Sequence, residues 1–546
     1  MIHRDPIKFM DISLRDQAHW LIPIALFLGS FLLVAATLKD YGVTWDEPPY
    51  FHASDLHVQW FSNLARKIAH REIEKSLSDQ TINAAWHWDP YHVPHPPFSR
   101  IISGLTNAIA APRLDKFTAY RLGPALFFAL LVTVIYLWMR EVFGRSTGFF
   151  SALALAVTPN LFGFAHIAVT DLPLASMWFL TVYCFWKGLK SWRWSVALGI
   201  AWGLALATKF PAVLIPIPLL LWAHLYKRQC YANNIFALFF LGPVVMLLAQ
   251  PYLWHQPGMR VLEFLFGGLS RGYRPDANFP VYWFGHLYLT RQLPWYYPFW
   301  VIGVTTPEPI LALALLAVAC VPFCQQRPAV MLLVMNAMFI PLTGLVPGAV
   351  LHDGVRQLLS TFPFLAALAG AGFHWLIELI KTWAEKLRWL PNVNRVGSKI
   401  LAGGFLLILF PAAFDIFLYH PYELSYYNRL IGGSRGAYEK GLELTYFMEA
   451  FTPEFLQYLN KKLPAKAVVN ASFANFMFQY YQKENRLRPD LQFTDNENAD
   501  YYVLLTRRSV WSKKDWLLFN NNSPIAAVRL GDVPLVSVYR LRASQR

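Results

Sequence analysis

Long apolar runs separated by short polar stretches dominate the chain, near 20–38, 118–139, 148–166, 171–187, 194–208, 210–226, 234–252, 303–323, 329–347, 355–380 and 399–419. Each approaches the length at which an α-helix crosses bilayer hydrocarbon, and the strict alternation of a membrane β-strand is absent. The pattern predicts an α-helical polytopic membrane protein of about eleven spans, since only helices satisfy their own backbone in lipid without closing a barrel. From His420 onward the apolar runs shorten and charge rises, and 466–472, 500–506 and 535–541 alternate or cluster like strands. The expected organisation is a membrane domain over 1–419 and a small soluble α/β domain over 420–546.

Two long connections, 39–117 and 255–302, are rich in Trp, Tyr, His and Pro, which suits segments lying at a membrane–water interface. In the first, 66–79 reads as a helical surface segment and 101–112 as interfacial or re-entrant. The second, with Gly267-Gly268, Arg271 and Arg274, reads as a mobile cover.

Composition adds two exclusions. With 546 residues, 55% hydrophobic and 15% charged, the chain has more apolar surface than a soluble core could hide. The net charge of +15 is scattered over short alternate connections (Arg140 and Arg145; Lys187, Lys190 and Arg193; Lys227 and Arg228; Arg327; Lys381 to Lys399). That is the mark of cytoplasmic loops rather than of a nucleic-acid surface. It predicts a cytoplasmic N-terminus, a retained first helix, and an extracytoplasmic tail on a multi-pass protein of the cell (inner) membrane. Cys184, Cys230, Cys320 and Cys324 fall within or at the ends of spans and suggest no disulfide framework or zinc site.

Ionisable residues gather where spans meet the outer loops. Trp45-Asp46-Glu47-Pro48-Pro49 places two adjacent carboxylates just after the first run, and in an extended segment their side chains diverge. Asp46 is the candidate base; a helix N-cap followed by proline is the structural alternative. In Tyr91-His92-Val93-Pro94-His95-Pro96-Pro97-Phe98 the prolines stiffen the loop around His95, which could donate to a phosphate or ligate a metal, as could Trp86-His87-Trp88-Asp89 upstream. No spacing there specifies a metal site. Asp171, in Thr170-Asp171-Leu172-Pro173-Leu174, opens a span and is also a cap candidate. Lys209 interrupts an apolar stretch, where it either snorkels or meets an anion. Arg356 in His352-Asp353-Gly354-Val355-Arg356 either holds a phosphate or pairs locally with Asp353.

The order of these motifs resembles the polyprenol-phosphate-dependent glycosyltransferases of the GT-C fold, of the protein O-mannosyltransferase and aminoarabinose transferase type. The match includes Thr306-Pro307-Glu308-Pro309, Gly354-Val355-Arg356 followed by Phe362-Pro363-Phe364, and Tyr426-Tyr427-Asn428 with Gly432-Gly433. The resemblance implies transfer of a sugar from a polyprenyl-phosphate donor to a hydroxyl of a lipid, glycan or protein acceptor at the outer leaflet, with inversion. By motif, Asp46 would be the base, Glu47 and Asp171 would position the acceptor or a metal, and His95, Lys209 and Arg356 would bind the donor phosphate. Some relatives carry an acid–lysine pair where this chain has Pro94 and His95, so a divalent metal stays an open cofactor and no other cofactor is implied. Two further readings use similar features: a transporter or flippase of lipid-linked saccharides, and an oligosaccharide ligase or polymerase.

Overall fold

The computed structural model describes residues 14–87, 95–226, 232–274, 279–346, 348–386, 393–496 and 498–541, and these are mostly helical. Positions 88–94, with Trp88, Asp89 and His92, and Cys230 lie outside the described residues. Four described helices are long and apolar enough to cross a membrane: Trp20–Asp40, Lys116–Phe143, Ala232–Ala249 and Arg356–Trp383. Several expected runs are broken instead. The run 210–226 divides into a 3-10 turn, Phe210–Leu214, and the helix Pro216–Tyr226. The run 303–323 is interrupted at Thr306-Pro307 between the helices Tyr297–Thr305 and Glu308–Cys320. Proline, lacking its donor, ends or starts each of these pieces.

The first long connection is more helical than its composition suggested. Glu47–Ala69, Ile73–Leu77, Asp79–Trp86 and Phe98–Ala110 are all helices. Pro48 and Pro49 occupy the first turn of the 23-residue Glu47 helix, where their missing N–H groups cost nothing. The second connection folds onto the first. Its helix Pro257–Ser270 is tied down by Arg260, whose guanidinium lies 2.6 Å from Asp79 and stacks on Tyr252. It continues into a hairpin of β1 (Pro280–Trp283) and β2 (His286–Leu289).

Glu47 and Arg121 form the clamp under these loops, both fully buried. Arg121 Nε and Nη2 each donate to Glu47 at 2.7 Å, and its remaining donors reach the carbonyls of Leu38, Tyr41 and Gly42 at 3.1, 3.0 and 2.7 Å. Every guanidinium N–H is therefore used. Glu47 also accepts from the Thr44 and Ala168 backbone amides at 2.8 and 2.9 Å, so one carboxylate pins the loop before it to the turn at 166–170. Gly42 completes the seam, because a Cβ there would sit 2.6 Å from the carbonyl oxygens of Glu449 and Phe451.

The C-terminal part carries a five-stranded sheet in the order β4-β3-β5-β7-β6. Its strands are β3 (Val468–Asn470), β4 (Gln492–Phe493), β5 (Tyr501–Leu505), β6 (Ala526–Leu530) and β7 (Val533–Arg540). β3 runs parallel to β4 and β5, while β7 is antiparallel to β5 and β6. One hydrophobic cluster runs from Val34 and Phe128 to Met477 and Val538, so the sheet and the helices share a core. Tyr481 is a polar tie across this contact: its hydroxyl accepts from the Val43 amide at 2.7 Å. Tyr-Tyr-Asn and Thr-Pro-x-Pro are a second one, with Asn428 Nδ2 donating to the carbonyls of Gly303 and Thr306 at 2.7 Å.

A third tie is ionisable. His420, at the end of the helix Val393–Tyr419, meets Glu423 at 2.9 Å and Asp40 at 3.1 Å, and Glu423 accepts from Tyr41 at 2.5 Å. Burial pushes the His420 imidazole down, but its bonds to Glu423 and Asp40 outweigh that and hold it above its ordinary value. A raised histidine stabilises the fold below its unfolded pKa, and that contribution is lost as pH rises through the folded value. Thermal unfolding in detergent is expected to show a midpoint that falls on alkalinisation through the neutral range, and His420→Gln is expected to flatten that dependence. The Arg121→Ala variant, which strands a buried carboxylate, is expected to lose about 3–5 kcal/mol by the same assay; an unchanged midpoint would remove the clamp from this account.

Candidate active site

Five separate stretches deliver charged side chains to one buried place. The first is the loop 41–46, which the Glu47 clamp holds. Asp46 occupies the N-cap position of the Glu47 helix but makes no capping hydrogen bond. Its carboxylate turns to Arg356, with Nη2 at 2.5 Å from Oδ2. Glu47, the next residue, is turned into Arg121 instead; the backbone here is helical rather than extended, so the separation of the two side chains comes from the helical turn and from their partners.

Asp171 opens the helix Asp171–Gly188, with Thr170 at the cap. Lys209 Nζ lies 2.7 Å from Asp171 Oδ1, and Arg356 Nε lies 3.3 Å from Oδ2. Lys209 also donates to Gln357 at 3.2 Å, so it meets a carboxylate rather than snorkelling. Arg356 begins the 3-10 turn Arg356–Thr361 that leads into the helix Phe362–Lys386. Its Nη1 is 3.3 Å from Asp353, so the local pair exists together with the long-range ones. Asp353 in turn accepts from Arg507 at 2.9 Å.

Asp46, Asp171 and Asp353 thus face Lys209, Arg356 and Arg507, three negative against three positive. Burial and the neighbouring Asp353 and Asp171 charges raise the Asp46 carboxyl above its ordinary value, with Arg356 pulling against them. Among the described residues no group of three or more His, Cys, Asp or Glu is placed to hold a metal ion. The guanidinium of Arg356 occupies the centre between the three carboxylates.

His95 stands beside this ladder. The Phe98 amide donates to the Ala207 carbonyl at 2.8 Å, which ties the end of the His-Pro-Pro segment to the turn that presents Lys209. Burial, then the charges of Arg271, Arg100, Lys209 and Arg356, hold the His95 imidazole well below its ordinary value, so it is neutral. Burial likewise lowers His352, to about 4, against the opposing pull of Asp353.

Two participants escaped the sequence reading. Arg271, just past the Pro257–Ser270 helix, lies near enough to His95, Lys209 and His352 to bear on the charge of each. Its guanidinium makes no ion pair or hydrogen bond among the described residues, and is thereby a cation in surplus to the balanced set. Arg507 comes from the C-terminal sheet. Arg271 stood out in the sequence only as part of the cover read into 255–302, not as a site residue; Arg507 gave no signal, because its partner is 154 residues away.

Residues 94–255 match the family model described as "Dolichyl-phosphate-mannose-protein mannosyltransferase", a stretch that includes His95, Asp171 and Lys209. The family likeness read from motif order is met there. No curated protein matches the chain by sequence. Among solved structures, ArnT from Cupriavidus metallidurans bound to undecaprenyl phosphate is similar at 16% identity and a TM-score of 0.49, over 96% of this chain and 98% of that one. The Archaeoglobus fulgidus oligosaccharyltransferase tethered to an acceptor peptide containing the NVT sequon has 13% identity and a TM-score of 0.45, over 88% of this chain and 60% of that one. AglB from the same organism, in complex with an inhibitory peptide and a dolichol-phosphate, has 13% identity and a TM-score of 0.44, over 88% and 61%.

The ladder predicts unequal costs. Arg356→Ala leaves three carboxylates facing two cations, with Asp46 stripped of its partner, whereas Lys209→Ala leaves Asp171 still beside Arg356. Thermal unfolding is expected to rank Arg356→Ala as the more destabilising, and adding Asp46→Asn to it is expected to recover part of the loss. Equal losses without recovery would mean that the pairs are not energetically coupled.

Proposed function

We propose that the chain is a multi-pass membrane glycosyltransferase that moves a sugar from a polyprenyl-phosphate donor to an acceptor hydroxyl at the outer face, with inversion. The observation that carries this reading is the convergence of Asp46, Asp171, Lys209 and Arg356 from four stretches on one buried ladder. The family match over 94–255 supports the donor class. The topology that goes with it is the one read from charge: about eleven crossings with the broken helices counted, N-terminus inside, and the C-terminal domain outside.

Asp46 is the base. It takes the acceptor proton as the oxygen attacks the anomeric carbon, while the bond from that carbon to the phosphate oxygen breaks on the opposite face. The leaving phosphate gains a negative charge, so cations near it bind the transition state more strongly than the donor. Lys209 and Arg356 begin fully compensated by carboxylates, and Arg271 supplies the net positive charge that admits the anion. As the phosphate competes for Arg356, Asp46 loses its counter-ion and becomes a stronger base. Asp171 holds Lys209 and Arg356 in register, and neutral His95 is placed to donate a hydrogen bond to a phosphate oxygen. Glu47 belongs to the scaffold of the loop rather than to the reacting groups.

In a purified assay with a polyprenyl-phosphate sugar, Asp46→Asn is expected to cut transfer by about a hundredfold or more while donor binding persists. Because the base must be ionised and its pKa is raised, the wild-type rate is expected to climb with pH through a range above the ordinary carboxylate value of about 3.9. Arg271→Ala is expected to weaken donor binding with little effect on the acid limb. Full activity of Asp46→Asn would overturn the assignment, and activity with lipid pyrophosphate donors alone would favour the ligase or polymerase reading.

A further inference from the structure

Arg507 sits in the first turn after β5, where the chain leaves the C-terminal sheet. The backbone that carries it is fixed from both sides. Thr506 N donates to Leu535 at 2.8 Å, and buried Glu443 accepts from the Arg508 and Ser509 amides, each at 2.8 Å. Arg508 adds an anchor, with its guanidinium over the rings of Tyr438 and Tyr282 at 4.4 and 4.8 Å. The turn is therefore held in place before the Arg507 side chain makes any contact.

That side chain is 1% exposed and reaches out of the sheet toward the ladder. Nη2 donates to Asp353 Oδ1 at 2.9 Å, and Nη1 donates to the Tyr446 carbonyl. The guanidinium plane stacks on Trp45 with its carbon 4.6 Å from the ring centroid. Trp45 is the residue before Asp46, and its own amide donates to Phe447 O at 3.1 Å. Asp353, at a φ of +64°, holds a backbone conformation that non-glycine residues rarely adopt. Its other oxygen faces Arg356.

We infer that Arg507 is a positioning residue of the active site, supplied by the C-terminal domain, which holds Asp353 and Trp45 and through them sets how Arg356 is shared with Asp46. The inference rests on the reading of Asp46 as base. Its physical content is a competition: with Arg507 present, Asp353 is compensated and Arg356 remains available to Asp46. With Arg507 gone, Asp353 is a buried carboxylate in need of a counter-charge, and Arg356 is the nearest. Drawn toward Asp353, Arg356 leaves Asp46 harder to ionise, and the indole beside Asp46 loses the face that fixes it.

The test compares pH–rate profiles of wild type, Arg507→Ala, Arg507→Lys and Arg507→Ala with Asp353→Asn, each checked for a monodisperse folded state in detergent. Arg507→Ala is expected to lower kcat by about tenfold to a hundredfold and to move the acid limb up by about one pH unit. Lysine at 507 keeps the charge beside Asp353 but not the planar stack, and is expected to leave the acid limb near its wild-type position with a lowered kcat. Replacing Asp353 by Asn in the alanine background removes the orphaned charge and is expected to return the acid limb. Should the alanine variant not fold, Arg507→Gln takes its place with the same readouts. An acid limb that does not move in the neutral variants, or that Asp353→Asn does not restore, overturns the inference. Absence of polyprenyl-phosphate-dependent transfer by the wild type overturns instead the reading it rests on.

Discussion

Mutual neutralisation of buried charge is the constraint on which this structure is built. A carboxylate or ammonium removed from water costs several kcal/mol unless a partner repays it, on the order of the whole stability of a domain. The chain meets that demand twice. Glu47 and Arg121 close on each other and on five backbone groups, forming a unit that holds the start of the first long connection to the turn at 166–170. Asp46, Asp171 and Asp353 share Lys209, Arg356 and Arg507 less completely, with Asp46 Oδ2 and Asp171 Oδ2 lacking an aligned hydrogen bond. The first arrangement is saturated and rigid. The second has bonds to give away, which is what the proposed binding of an anion would draw on.

Adjacent residues illustrate the division. Asp46 and Glu47 are chemically alike and one position apart, yet one stands at the start of a helix without capping it, while the other is locked into a guanidinium on a different helix. A cap that forgoes its own hydrogen bond gives up roughly 1 kcal/mol of helix stability. That local loss marks Asp46 more clearly than its burial does, since Glu47 is buried still more deeply.

How much of this was legible in the sequence depends on the range of the interaction. Apolar runs gave the helices at Lys116–Phe143 and Arg356–Trp383 because a span is a local property of composition. Alternation located β3, β5 and β7, but the two-residue β4, the half-exposed β6 and the β1–β2 hairpin carry too little pattern to stand out. The start of the Glu47 helix was legible as the alternative reading of Asp46 before two prolines, but its extent to Ala69 was not, because its apolar residues line only one face between aromatic and polar ones. For the site, motif order gathered Asp46, Asp171, Lys209, Arg356 and His95. It could not say that Glu47 would find Arg121, that Asp353 would bridge two arginines, or that Arg271 would stand near His95. Those pairings are set by tertiary packing and leave no trace in spacing.

The hydrophobic cluster from Val34 to Val538 bears on how such chains can diversify. A C-terminal domain joined by a flexible linker could be exchanged for another as a module. Here Tyr481 is bonded into the loop at Val43, and the β5 turn is bonded to Glu443, so sheet and helices have a common interior. A graft would have to bring matching partners for Trp45, Gly42 and Asp353, and changes at those positions are expected to be tolerated in concert rather than singly. The domain is bound to its helices as one half of a jigsaw is to the other, and recombination at the boundary would scramble both.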